Sequence, residues 1–566
     1  MIFKGSRRAF IFFSMLIILS CKTPPQPLQE RIDTSIPTQP AETHYSSGLA
    51  DEIRNLTETG ILSSMLQAIE LIRVRELSNS DFGRMMTGIN VLLIRYVYPD
   101  SLARLPAADL PLTFNYTRII REAERGILVR PDANSTDFFE LILPALAINN
   151  TSTFPAYFAA DLQKAGELKR DSVLPPFFRG LVLERLNRHD EAVAAYRQAY
   201  QISNECYSAQ IGIARIRIAS GNPEEAVTIL ADLVTRFPDS VIIKRQLALA
   251  YFGVRDWQRA LTFIDGILHI DPRDGDFLLM KASILIEQQL YPQANTTLDS
   301  YVSINPNNRS YLFMRARVQS EGNRNRDSAL NYLRSILRSN PNDEEAMTYA
   351  VNLLMESQRP ADLTEGRELL ERLRQLSGSS IDVLSLSLRD AINRESWQEA
   401  QGFLNRILAI RRTDQDLIDG YYIESGLRSF SRALTYAREL YERNTSNNTF
   451  IYIYISALID NNRRDEASRL LENRINSAAA GTVKSGYYFL RSRLQANTDD
   501  ALGDLRSSLF EDPRNLDAII AMFEIYHNRR EERRAVHYLR QALAISPNHP
   551  RLRRYEQEYA SLLGRN

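Results

Sequence analysis

The sequence predicts an all-α, right-handed superhelical solenoid of helix-turn-helix repeats with an N-terminal helical region. Three observations carry this. A small residue returns about every 34 positions, at Ala192, Ala226, Ala260, Ala294, Ala329, Gly366, Ala400, Ala433, Ala467, Ala501 and Ala535. Four residues later stands a large apolar or aromatic side chain, such as Tyr196, Leu230, Ile264, Leu298 and Leu333, with Ala437 breaking the row. Twelve residues past most early anchors stands a proline: Pro238, Pro272, Pro306 and Pro341, and later Pro513 and Pro547. A fixed period of this length is the mark of a stacked array, in which each unit buries its apolar face against its neighbours.

The N-terminus, residues 1–20, reads as an export signal. Lys4, Arg7 and Arg8 precede an apolar run from Ala9 to Leu19, followed by Ser20 and Cys21. The run is short for a bilayer span and carries signal-type flanks; an uncleaved anchor is the alternative. Ile18-Leu19-Ser20-Cys21 resembles a bacterial lipoprotein signal with its lipobox, Ile18 taking the place of leucine. The resemblance implies cleavage before Cys21 and lipidation of its thiol. The chain would then be anchored to a bacterial membrane, facing the periplasm, with the choice of inner or outer membrane open. Several acyl chains make a stable anchor, because each buried methylene contributes about 0.8 kcal/mol.

Residues 21–48 hold Pro24, Pro25, Pro27, Pro37 and Pro40 among small and polar residues and read as a disordered tether. Residues 49–172 show helical periodicity, as in Ile61, Met65, Leu66, Ile69 and Ile72, but off the 34-residue period. They are a cap or diverged repeats.

Residues 173–548 form the array of about eleven repeats. The stretch Val241 to Asp274 gives the unit: a first helix from Val241 to about Val254, a turn at Arg255-Asp256, a second helix from Trp257 to about His269, and a stop at Pro272. Ala248 and Ala260 are small where helix backbones approach. Acidic pairs open several second helices, such as Glu224-Glu225 and Asp465-Glu466, at the positive end of the helix dipole. This pattern resembles the tetratricopeptide repeat, through Ala248, Tyr251, Ala260, Ile264, Ile267 and Pro272 in this unit and Ala282, Ala294, Leu298, Tyr301 and Pro306 in the next. The family's fourth-position tryptophan is absent throughout. The rhythm slips by one and then by three residues around Ala329 to Ala400, and Ser377-Gly378-Ser379-Ser380 lie there. A longer turn or a break near 377–380 is expected. Residues 549–566 read as a polar capping helix.

Little here suggests catalysis. The formal net charge is zero, from 69 basic and 69 acidic residues, which gives no electrostatic reason to expect nucleic acid. Two cysteines, Cys21 and Cys206, exclude a disulfide scaffold and a zinc-type cysteine cluster. The six histidines match no metal motif, and no phosphate loop or nucleophile elbow occurs. No catalytic residue, metal or cofactor is assigned. Trp257 and Trp397, each three residues before an anchor, read as packing.

The resemblance implies an inner wall lined by first-helix side chains at the second, fifth, ninth and twelfth positions. Those picked out for a partner are Arg215, Arg245, Leu249, Phe252, Leu279, Ile286, Phe313 and Arg317. Arginine and aromatic residues are favoured at interface hot spots. The lysine–asparagine pair with which some relatives clamp a peptide carboxylate is missing from these units. The expected function is a non-enzymatic adaptor that binds another cell-envelope protein in its concave groove. The alternatives are a regulator of peptidoglycan synthesis or hydrolysis that touches the cell wall, or an enzyme whose site is composed from several repeats. The oligomeric state is open.

Overall fold

A computed structural model describes residues 46–563, apart from 108–109, 113, 133–134, 152–154, 156, 358, 548 and 550. Cys21, the signal of residues 1–20 and all but the last three residues of the 21–48 tether lie outside the described residues. The structure is all-α, with no strand among the described residues, and its helices pack in consecutive pairs. It divides into two compact units, Met1–Met314 and Arg315–Asn566.

The first unit opens with six α-helices, Ser47–Thr59, Leu62–Val74, Asp81–Val97, Asn115–Glu124, Phe138–Ile142 and Tyr157–Leu168. They share one buried core with the repeats that follow, running from Ile53 to Ile284. Polar contacts fix the junction. Buried Tyr98 donates to the Gly60 carbonyl at 3.0 Å, and the Tyr207 and Ser240 hydroxyls both donate to Asp100 Oδ2, at 3.0 and 2.5 Å. Residues 49–172 therefore have no core of their own, separate from that of the early repeats. Cys206 is buried in this core, and burial pushes its thiol up to about 12.

From Leu174 the chain alternates first and second helices. The anchor is the fourth residue of its second helix in every repeat except that of Gly366. All the anchors are buried except Ala501, which is half-exposed. Leu502 and Leu505 turn inward there, and buried Asp504 binds Arg491 at 2.5 Å, so this polar repeat does not need the alanine as a contact point. The large residue four positions on is buried throughout, from Tyr196 to Leu539.

A recurring Schellman turn closes the first helices. The residue five before the anchor is left-handed in Asn187, Gly221, Arg255, Gln289, Arg324, Glu395, Arg428, Asn462 and Arg530, with φ between 54° and 79°. At Arg255 its amide donates to Phe252 O and the next amide donates to Tyr251 O, which satisfies the helix-end carbonyls. The next first helix is capped by Ser240, Asp274, Asp343, Thr413, Asn447 or Asn515.

The two slips in the period have structural causes. The one-residue slip before Ala329 lies in a π-helical turn, Val318–Gly322, which takes up one extra residue without unpairing the helix. The three-residue slip before Gly366 is an added turn at the start of the second helix Pro360–Ser377, which has 18 residues where most have 14. Residues 377–380 hold neither slip. Gly366 and Ile381 are fifteen residues apart, the step between anchor and next first helix found at Ala226 and Val241. The division between the two units falls at 314/315, within the helix Arg309–Arg317.

Candidate docking surface

The first helices carry the candidate surface, because the second helices turn their anchors inward. In the first unit the predicted arginines are already engaged. Arg215 makes a two-pronged ion pair with Glu184, at 2.5 and 2.6 Å, and the Tyr196 hydroxyl donates to the same carboxylate at 2.8 Å. Burial pushes the Glu184 carboxyl up, but the guanidinium outweighs it and holds the group below its ordinary value. Arg245 pairs with Asp274 and lies over the ring of Phe277, 4.5 Å from its centroid. Leu249 and Phe252 are half-buried, and Phe252 meets Trp257 edge-on at 5.5 Å. Phe313 is half-buried beneath the Arg309 guanidinium, at 5.2 Å.

Two of the predicted residues are not on the surface. Leu279 is 6% exposed and Ile286 1%. Their helix, Gly275–Glu287, buries eight of its thirteen residues, so it has no free inner face at these positions. In the second unit Arg317 pairs with Glu321 at 2.9 Å.

The second unit holds a set of aromatic first-helix residues that the sequence reading passed over. Tyr422, on the helix Asp414–Gly426, is half exposed, and its ring stands edge-on to buried Tyr421 at 5.1 Å. Tyr421 donates to Ser456 Oγ at 3.1 Å on the next first helix, Asn448–Asp460. Arg493 donates to the same hydroxyl at 3.0 Å and to Asp460 at 2.6 Å. Tyr452 lies against Gly486, where a β-carbon would stand 3.2 Å from its ring. Burial raises the phenols of Tyr422 and Tyr452, and the nearby Asp517 carboxylate adds to this in both. Tyr422, Tyr452, Ser456, Gly486 and Asp517 fall at the second, fifth or ninth position of their first helices, and Arg493, just past the end of its helix, falls at the twelfth position of its repeat. The same positional rule, carried into the later repeats, finds them.

A family model described as the tetratricopeptide repeat matches residues 185–247. The matched segment covers three of the helices above and the start of a fourth, and the buried anchor phase runs on from there. No curated protein sequence matches the chain. Among solved structures, YrrB, a tetratricopeptide-repeat protein with an unusual peptide-binding site, is similar at 15% identity over 33% of this chain and 97% of its own, with a TM-score of 0.30. PilW, a type IV pilus biogenesis factor, is similar at 16% identity over 37% and 94%, with a TM-score of 0.33. A tetratricopeptide-repeat protein from Parabacteroides merdae is similar at 12% identity over 50% and 98%, with a TM-score of 0.30. Scores of this size decide neither fold nor function; the helix pairing and the repeat phase carry the fold. Tetratricopeptide-repeat proteins generally bind protein or peptide partners. No cluster of three or more His, Cys, Asp or Glu side chains fit for a metal occurs among the described residues, and no described helix is long and apolar enough to cross a membrane.

Proposed function

We propose that this chain is a non-enzymatic scaffold, lipid-anchored through Cys21 to a bacterial membrane, that holds another cell-envelope protein on its first-helix face. The observation that carries the binding half is the alignment of aromatic and charged side chains on successive first helices, the arginines held by ion pairs and Tyr422 by its ring contact with Tyr421 before any partner arrives. Such preorganisation lowers the ordering cost of association. The half concerning location rests on the Ile18 to Cys21 motif.

Cross-linking in the native envelope, with captured proteins identified by mass, tests the first half. A defined partner that is lost in a Phe252→Ala, Tyr422→Ala double variant of unchanged helicity supports the scaffold. Binding to purified cell wall with no protein captured overturns it. Labelling with radioactive palmitate tests the second half: the chain takes up label, and the Cys21→Ser variant does not.

A further inference from the structure

We propose that the tyrosine patch of the second unit receives a basic side chain, arginine or lysine, from an extended peptide of the partner. This deepens the scaffold reading and rests on it.

The patch is built from first helices of successive repeats. Tyr422 presents an exposed ring whose orientation is set by contact with Tyr421, itself tied to Ser456. Gly486 lacks the side chain that would crowd the Tyr452 ring. Aromatic faces attract cations through their quadrupole, the more so when partly desolvated.

Charge decides between a basic and an acidic guest. Three arginines lie around the patch, and each is engaged. Arg493 binds Asp460 and Ser456, Arg411 binds Asp416 and Ser385, and Arg389 binds Asn352. Two carboxylates, by contrast, are in no ion pair among the described residues. Asp517 is exposed beside Tyr422 and Tyr452, and Asp419 beside Tyr422 has only the Gln415 amide as hydrogen-bond donor, at 2.9 Å. Desolvation pushes Asp419 up to about 6, although Arg389 and Arg411 act on it across space without forming an ion pair. A guest cation can pair directly with both carboxylates, and an anion meets two negative groups that no ion pair neutralises.

The test uses the purified chain and three nine-residue fluorescein-labelled peptides, (Gly-Ser-Arg)3, (Gly-Ser-Gln)3 and (Gly-Ser-Glu)3, with binding read by anisotropy. The arginine peptide is expected to bind about tenfold tighter than the glutamine peptide, and the glutamate peptide more weakly still. Tyr422→Ala and Asp517→Asn should each weaken the arginine peptide severalfold. Both sites are open to solvent, so both variants should keep the wild-type circular dichroism. Ile270→Ala, an exposed side chain at the end of the second helix Trp257–Ile270 in the first unit, should leave binding unchanged. Equal binding of the three peptides overturns the proposal, as does arginine-peptide binding indifferent to both variants. Capture of an envelope protein unaffected by Tyr422→Ala overturns this site while the scaffold reading stands. Selective arginine-peptide binding with no envelope protein captured supports the site and overturns the wider reading.

Discussion

Gly180 and Tyr196 meet backbone to ring: a β-carbon on Gly180 would stand 2.6 Å from the ring of Tyr196. Gly212, on the next first helix, approaches the same ring as closely, so the fully buried tyrosine is held between two bare stretches of helix. Glycine within a helix costs about 1 kcal/mol relative to alanine. Here overpacking, at about 1–3 kcal/mol, outweighs that gain. Gly180→Ala and Gly212→Ala are expected to lower the urea midpoint. Gly266→Ala and Gly402→Ala, where nothing lies within 4 Å of the new β-carbon, are expected to raise it. Equal signs in the two pairs would refute the packing account.

The Glu184–Arg215 pair makes a pH-dependent contribution. The Glu184 carboxyl is held below its ordinary value in the fold. Its stabilisation is therefore complete above the ordinary carboxylate range and is lost as pH falls through the lowered folded value. Arg215→Met leaves a carboxylate short of its main donor and should cost about 1.5–3 kcal/mol near neutral pH. The difference between wild type and variant, followed by urea unfolding, should shrink steadily on going from pH 7 to pH 3. A difference that does not change with pH would place the loss in packing instead.

The left-handed turn residues offer gains. Arg255 and Gln289 sit at φ 61°, where a β-carbon costs about 1 kcal/mol and glycine costs little. Arg255→Gly and Gln289→Gly should each raise stability by up to about 1 kcal/mol, and Gly221→Ala should lower it by a like amount. Thermal unfolding of the three variants beside wild type measures this.

Asp419 should act in the opposite direction to Glu184. Its folded value, about 6, lies above the ordinary one because desolvation, with Asp416 adding, outweighs Gln415, Arg389 and Arg411. Folded chain thus binds the proton more tightly than unfolded chain, and stability from this group falls as pH rises from about 4 to about 6. Asp419→Asn keeps the acceptor for Gln415 and removes the titration. It should be more stable than wild type above pH 6, with the advantage fading toward pH 4. Parallel stability curves for the two proteins would show that Asp419 ionises normally.

The repeat was legible in the sequence because its physics is local and periodic. Small anchors, large residues four positions on, and prolines after the second helix each answer a need that recurs in every unit. The N-caps, such as Ser240 and Asp274, are equally local, but the sequence reading did not single them out. The Schellman turns were hidden: of nine left-handed positions only Gly221 is glycine, and Arg255, Gln289 or Glu395 give no sign in a sequence that a turn will hold them there. The period slips were visible, but their form was not. An extra residue can enter a loop, a π-turn or a longer helix, and here it entered Val318–Gly322 and the start of Pro360–Ser377.

By itself the sequence determined the all-α class, the unit length, the anchors and the motif at Cys21, since each is written in neighbouring residues. Tertiary structure decided which first-helix side chains reach solvent. Leu279 holds the same fifth position as Arg245 and Tyr452, yet it is buried while those two are only half-buried. It also decided that Arg215 and Arg245 are engaged by Glu184 and Asp274, from helices about thirty residues away. Exposure and pairing depend on what neighbouring repeats bring to the same place, and periodicity fixes only where each residue starts.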